Sequence, residues 1–181
     1  MTRDDLVLTP LGLRHGGRTY PCAIGRGGVV AAKREGDGAT PMGRHRITGL
    51  LYRPDRLSRR AVPYWGQPIG LRDLWCDDPV HEDYNLMVRA PFVAGHERLR
   101  RADPLYDIVL TTDFNWPRAR RGGGSAIFLH VWRGPRYPTA GCVALRRDHL
   151  LRLLWRLGPG TRLIVAPTLA RGRGEDRGQS G

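Results

Sequence analysis

Lysine is almost absent from this chain. Of 30 basic residues in 181, only Lys33 is not arginine, so a formal net charge of +13 rests on guanidinium groups. Long apolar runs are missing too, and none approaches the ~20 residues that a membrane-spanning helix needs. The start, Met1-Thr2-Arg3-Asp4-Asp5-Leu6, lacks the basic-then-apolar pattern of a secretion signal. Cysteine is scarce, odd in number and widely spaced (Cys22, Cys76, Cys142), which excludes a disulfide framework, and no Cys-x-x-Cys suggests zinc. His96-Glu97 and His81-Glu82 are followed by Arg100 and Asn85 where a zinc protease needs its second histidine. Gly25-Arg26-Gly27-Gly28 lacks the spacing of a phosphate or dinucleotide loop. No metal and no organic cofactor is therefore expected.

Excess positive charge raises encounter rates with anionic partners, whether nucleic acid, membrane surface or acidic wall polymer. The arginines are scattered, however, and cluster only at residues 118–121 and in the tail after Ala170. No nucleic-acid-binding motif accompanies them, so a specific nucleic acid is not an expected partner.

With 40% apolar residues, the chain can form one domain that buries roughly 70% of its unfolded surface. Apolar runs at 6–8 and 11–13, a His15-Gly16-Gly17-Arg18 turn and a return over 18–24 predict an N-terminal hairpin. A glycine-rich stretch over 25–43 precedes a predicted strand at 44–52. Residues 54–104, rich in proline and tryptophan without helical periodicity, read as long loops with short strands. Core strands are predicted at 105–112 and 125–129. Leu150, Leu153, Leu154 and Leu157 recur at helical spacing behind Asp148, a candidate cap, and Gly158-Pro159 stops that helix. A last strand is expected at 161–165. The fold class is mainly β with one helix, as a domain over 1–167 and a disordered basic tail over 168–181.

The chemistry concentrates between His130 and Cys142. His130 ends the apolar run Ala126-Ile127-Phe128-Leu129, a Pro/Gly loop follows, and Thr139-Ala140-Gly141 leads to Cys142 and a second apolar run, Val143-Ala144-Leu145. Two strands joined this way can set a thiol beside an imidazole, the smallest nucleophile-plus-base unit for acyl transfer. An unassisted thiol with a pKa near 8.5 is only about 3% thiolate at pH 7, so the imidazole matters. Amides of Ala140, Gly141 and Cys142 could receive an oxyanion, a function worth ~10²–10³ in rate. The plainer reading makes Cys142 a small core residue and His130 a satisfied strand histidine.

Thr139-Ala140-Gly141-Cys142-Val143, preceded by His130 at a strand end, resembles the L,D-transpeptidase catalytic domain family of the YkuD type. The segment from Lys33 to His45, with Thr40-Pro41-Met42-Gly43, resembles the same family's Thr-Pro-x-Gly element, which closes an early hairpin. The resemblance covers about residues 6–167. It implies a β-sandwich-like fold, Cys142 as nucleophile, His130 as base, and an oxyanion hole at the amides of Ala140, Gly141 and Cys142. It departs from the pattern in a shorter loop, in Ala140 where a histidine is common, and in Ala144 where Arg or Asn is usual. Arg133, Arg136 or Arg146 could supply the missing cation beside Thr139, and Trp75, His96 and Glu97 of the long middle segment could wall the substrate. The implied partners are peptidoglycan stem peptides and carbapenem-type inhibitors, and the implied location is periplasmic or wall-associated. The implied product is a cross-link or an exchanged terminal D-amino acid. Alternatives are hydrolysis of the same bond, as an L,D-carboxypeptidase or amidase, and a non-catalytic basic binding domain.

Overall fold

The computed structural model describes residues 2–169, so residues 170–181 of the predicted tail lie outside the described residues. The first strands are β1 (Leu6–Thr9), β2 (Gly12–His15), β3 (Arg18–Tyr20) and β4 (Cys22–Ala23). Two short strands, β5 (Val29–Val30) and β6 (Thr40–Pro41), precede the long β7 (Gly43–Tyr52). The middle segment carries β8 (Gly66–Pro68), β9 (Asp73–Cys76), β10 (Met87–Arg89) and β11 (His96–Arg98). Then come β12 (Ile108–Thr112), β13 (Leu129–Val131), β14 (Val143–Leu145), the helix α1 (Arg147–Leu154) and β15 (Arg162–Val165).

Ten strands form one sheet in the order β3-β2-β1-β15-β7-β12-β13-β14-β4, with β8 alongside β7. Its two end strands, β3 and β4, are separated in sequence only by Pro21, so the sheet curls back until it is nearly closed. The architecture is mainly β with a single α-helix among the described residues, as the sequence predicts.

Strand side chains alternate between faces, and that alternation builds two cores. Leu50 and Tyr52, Ile108 and Leu110, Leu129 and Val131, and Val143 and Leu145 point into the larger one. Leu150, Leu153 and Leu154 of α1 seal it, each contributing roughly 1.5–3 kcal/mol by burial. The intervening residues Leu51, Val109, Phe128 and Cys142 share the opposite face with Ile69, Trp75, Leu99 and Tyr106. The middle segment covers that face with short strands joined by long loops, as expected, and three of the strands pair into an antiparallel sheet, β10-β9-β11.

Several local expectations need correction. The stretch 125–128 is buried but not strand, because Ala126 sits at φ +49, so His130 lies inside β13 rather than at a strand end. β5 and β6 pair in parallel, so the Thr-Pro-x-Gly element does not close a hairpin. Asp148 lies in the first turn of α1, paired with Arg146, and Arg146 holds the cap position with no side-chain capping bond. The helix ends at Leu154, although Leu157 is buried beyond it.

Candidate active site

β13 and β14 run parallel, with Leu129 opposite Val143 and His130 opposite Ala144. Cys142 comes two residues before Ala144, so it shares a face with His130 as its diagonal neighbour across the pair. Both line a cleft of about 960 Å³ between the main sheet and the middle segment.

The loop that delivers Cys142 is tied at several points. Thr139 N–H donates to the Ile24 carbonyl and the Thr139 carbonyl accepts from Arg26 N–H, each at 2.9 Å. Thr139 Oγ1 accepts from Gly141 N–H at 3.1 Å and donates to the Cys142 carbonyl at 2.7 Å. Gly141 lies at φ +145, and a Cβ there would come within 2.9 Å of the Ala39 carbonyl oxygen, so only glycine fits without displacement.

Cys142 Sγ donates to the Ala126 carbonyl at 3.1 Å and accepts from Phe128 N–H at 3.5 Å. Burial pushes this thiol up to about 12, and the Glu97 carboxylate adds to the rise. His130 Nδ1 lies 2.8 Å from the Val131 carbonyl. A carbonyl can only accept, so Nδ1 carries the hydrogen and Nε2 is the basic nitrogen. Burial pulls the imidazole down to about 4, which leaves both groups neutral at rest.

Around this pair the cleft has an acidic and an arginine-rich side. Tyr106 stands edge-on to the His130 ring, 5.3 Å between centroids, donates its hydroxyl hydrogen to Glu97, and carries the Arg101 guanidinium over its face. Burial raises Glu97 above the usual carboxylate range. Asp77 is likewise raised, by burial first and then by Glu35. Lys33 is buried with its Nζ 2.6 Å from Asp37 Oδ1 and 2.7 Å from the Arg34 carbonyl.

The cleft brings together His130, Cys142, Thr139, Ala140, Gly141, Arg133, His96 and Glu97. Three other residues singled out in the sequence lie elsewhere. Trp75 is packed edge-on against Phe128 at 4.8 Å, its indole N–H spent on Asn85 Oδ1, so it supports the floor without facing substrate. Arg146 points to solvent at the start of α1 in its pair with Asp148. Arg136 lines a separate hollow beside Leu8 and Ile24. The histidine–glutamate pairs do not assemble a metal site: among the described residues, no three His, Cys, Asp or Glu side chains are grouped to hold an ion.

Three residues, Asn85, Tyr106 and Thr40, support the site in ways that the sequence does not indicate. Asn85, buried at φ +64, accepts from Ala126 N–H and Trp75 Nε1–H and donates to the carbonyls of Phe114 and Asn115. It thereby holds the turn whose carbonyl faces the thiol. Nothing in the sequence context of Tyr106 marks it, and the Thr-Pro-x-Gly resemblance marks the Thr40 segment without assigning that hydroxyl a part in the site.

No curated protein and no solved structure matches this chain. The model of the L,D-transpeptidase catalytic domain (YkuD) does match, over residues 11–165, which include β13, the Cys142 loop and the Thr40 segment. The chain thus belongs to the L,D-transpeptidase catalytic domain family, which acts on peptidoglycan.

Proposed function

We propose that the protein is a cysteine-dependent L,D-transpeptidase acting on peptidoglycan stem peptides outside the cytoplasmic membrane. The observation that carries this reading is that His130, in β13, and Cys142, immediately before the parallel neighbour β14, fall on one face and line the same cleft. Cys142 Sγ attacks the carbonyl that joins an L-configured centre of the stem peptide to its terminal D-residue. The thiol proton passes to His130 Nε2 as the sulfur–carbon bond forms. The carbonyl oxygen becomes an oxyanion and takes hydrogen bonds from main-chain amides. The Gly141 amide is already bonded to Thr139, so those of Cys142 and Ala140 are the candidates. Collapse of the intermediate breaks the carbon–nitrogen bond, and the leaving amine takes its proton from His130. An amine acceptor then attacks the thioester, giving a cross-link or an exchanged D-residue and restoring the thiol.

Arg26, Arg98 and Arg133 on the cleft wall suit a substrate rich in carboxylates. The test is to incubate the protein with a carbapenem and weigh it intact, then to supply tetrapeptide and an amine acceptor. The reading expects an adduct on the Cys142 peptide that Cys142→Ala abolishes, and an amine-exchanged or dimeric product. Tripeptide alone would mean hydrolysis in place of transfer, and no adduct on Cys142 would refute acyl-enzyme chemistry.

A further inference from the structure

Thr40 has no exposed surface, and its hydroxyl is engaged on both sides. Gly25 N–H donates to Oγ1 at 2.9 Å, and the hydroxyl donates to the Gly141 carbonyl at 2.8 Å. That carbonyl and the Cys142 N–H belong to one planar trans peptide unit, in which they point in opposite directions. Fixing one therefore fixes the other. The unit follows a glycine at φ +145, whose backbone has more rotational freedom than any other residue would allow, so an external anchor matters here.

We propose that Thr40 is a positioning residue: its hydroxyl holds the Gly141–Cys142 peptide so that the Cys142 amide is presented to the oxyanion. The idea rests on the acyl transfer proposed above and assigns it a second structural requirement, far from the His130–Cys142 loop in sequence. The anchor is itself braced. Asp37, clamped by Lys33, accepts from Ala39 N–H at 2.8 Å, and Thr40 N–H donates to the Gly28 carbonyl at 2.8 Å. Motion of the 33–40 segment would thus reach the Cys142 amide through a single hydroxyl.

Oxyanion positioning predicts a split that loss of packing does not. Acylation by a carbapenem develops charge on a carbonyl oxygen, whereas alkylation by iodoacetamide needs only the sulfur. Both rates are read by mass on the Cys142 peptide for the wild type, Thr40→Val and Thr40→Ser. Thr40→Val is expected to slow acylation by about 10- to 100-fold, a part of the ~10²–10³ that a lost donor costs. Alkylation should be unchanged, and Thr40→Ser should restore acylation. Equal loss of both rates, or acylation of Thr40→Val at the wild-type rate, overturns the proposal. A wild type that is never acylated at Cys142 overturns the underlying acyl-transfer reading instead. The geometric part is then read from the Cys142 amide resonance in ¹H–¹⁵N spectra, which should move in Thr40→Val and stay in Thr40→Ser; no movement in Thr40→Val refutes the anchor. Thr40→Ala, with room for a water, serves in the same measurements if Thr40→Val does not fold.

Discussion

Acidification should unfold this protein partly through one histidine. His130 is buried neutral, its pKa drawn by burial from an ordinary 6.5 down to about 4. Between those values the unfolded chain binds a proton that the folded chain refuses. Stability from this group is therefore present above pH 6.5 and is lost as the pH falls towards 4. At 1.36 kcal/mol per pH unit for one proton, the interval amounts to about 3 kcal/mol. Other groups titrate nearby. His45 is also lowered by burial and has the same sign, while Glu97 and Asp77 are raised and act in the opposite direction. The comparison that isolates His130 is urea unfolding of wild type and His130→Gln between pH ~7 and ~4, each referenced to its own neutral value. The wild type should lose about 3 kcal/mol more than the variant over that range. Superimposable profiles would show that His130 is not desolvated as described, and the account of the neutral pair would fall with it.

Three further outcomes follow from packing and placement. Gly141→Ala adds positive-φ strain of about 1–3 kcal/mol and should lower the melting temperature by about 2–10 °C, with carbapenem acylation of Cys142 lost in parallel. A wild-type melting temperature would contradict the 2.9 Å approach to the Ala39 carbonyl oxygen. Asn85→Leu strands several polar groups and should cost about 3–5 kcal/mol in denaturant unfolding, at about 1–3 kcal/mol for each buried group left without a partner; a cost below about 1 kcal/mol would refute its role as a hub. Arg146→Ala should leave turnover unchanged, because its side chain pairs with Asp148 outside the cleft, and a clear loss of activity would put Arg146 back in the site.

Legibility in the sequence followed the range of the interactions. Short apolar runs and helical leucine spacing report on burial within a local element, so β7, β12, β15 and α1 are readable within a few residues. The dipeptide and motif signals around His130, Cys142 and Thr40 marked the segments that converge on the cleft. Contacts set by three-dimensional convergence left no such trace. The strand predicted at 125–129 is interrupted because Asn85, some forty residues away, claims the Ala126 amide and bends the chain. Trp75 looked like a cleft aromatic, yet alternation along β9 turns it into the floor, where its ring meets Phe128. Arg146 and Arg136 sit close to Cys142 in sequence but on the far side of turns that carry their side chains away. Proximity along the chain was a poor guide to which arginines reach the site.

The neutrality of the resting pair constrains how a nucleophile can arise there. With its pKa near 12, Cys142 would be thiolate in only about one molecule in 10⁵ at pH 7, against about 3% for a free thiol. A preformed thiolate–imidazolium pair would need donors around the sulfur. The Phe128 N–H is one, at a long 3.5 Å, but the Ala126 carbonyl at 3.1 Å is an acceptor that favours the protonated form, and burial outweighs the donor. Under the proposed chemistry the proton must therefore leave sulfur while the bond to carbon forms, with His130 as base and the Cys142 amide taking up the new charge on oxygen. This ordering makes reactivity depend on an occupied cleft. Acylation by a well-seated carbonyl should then be nearly flat across neutral pH, whereas alkylation by a small reagent with no oxyanion to stabilise should rise steadily as the solution becomes more alkaline. Parallel profiles for the two reagents would mean that a thiolate is already present and that the neutral resting state is wrong.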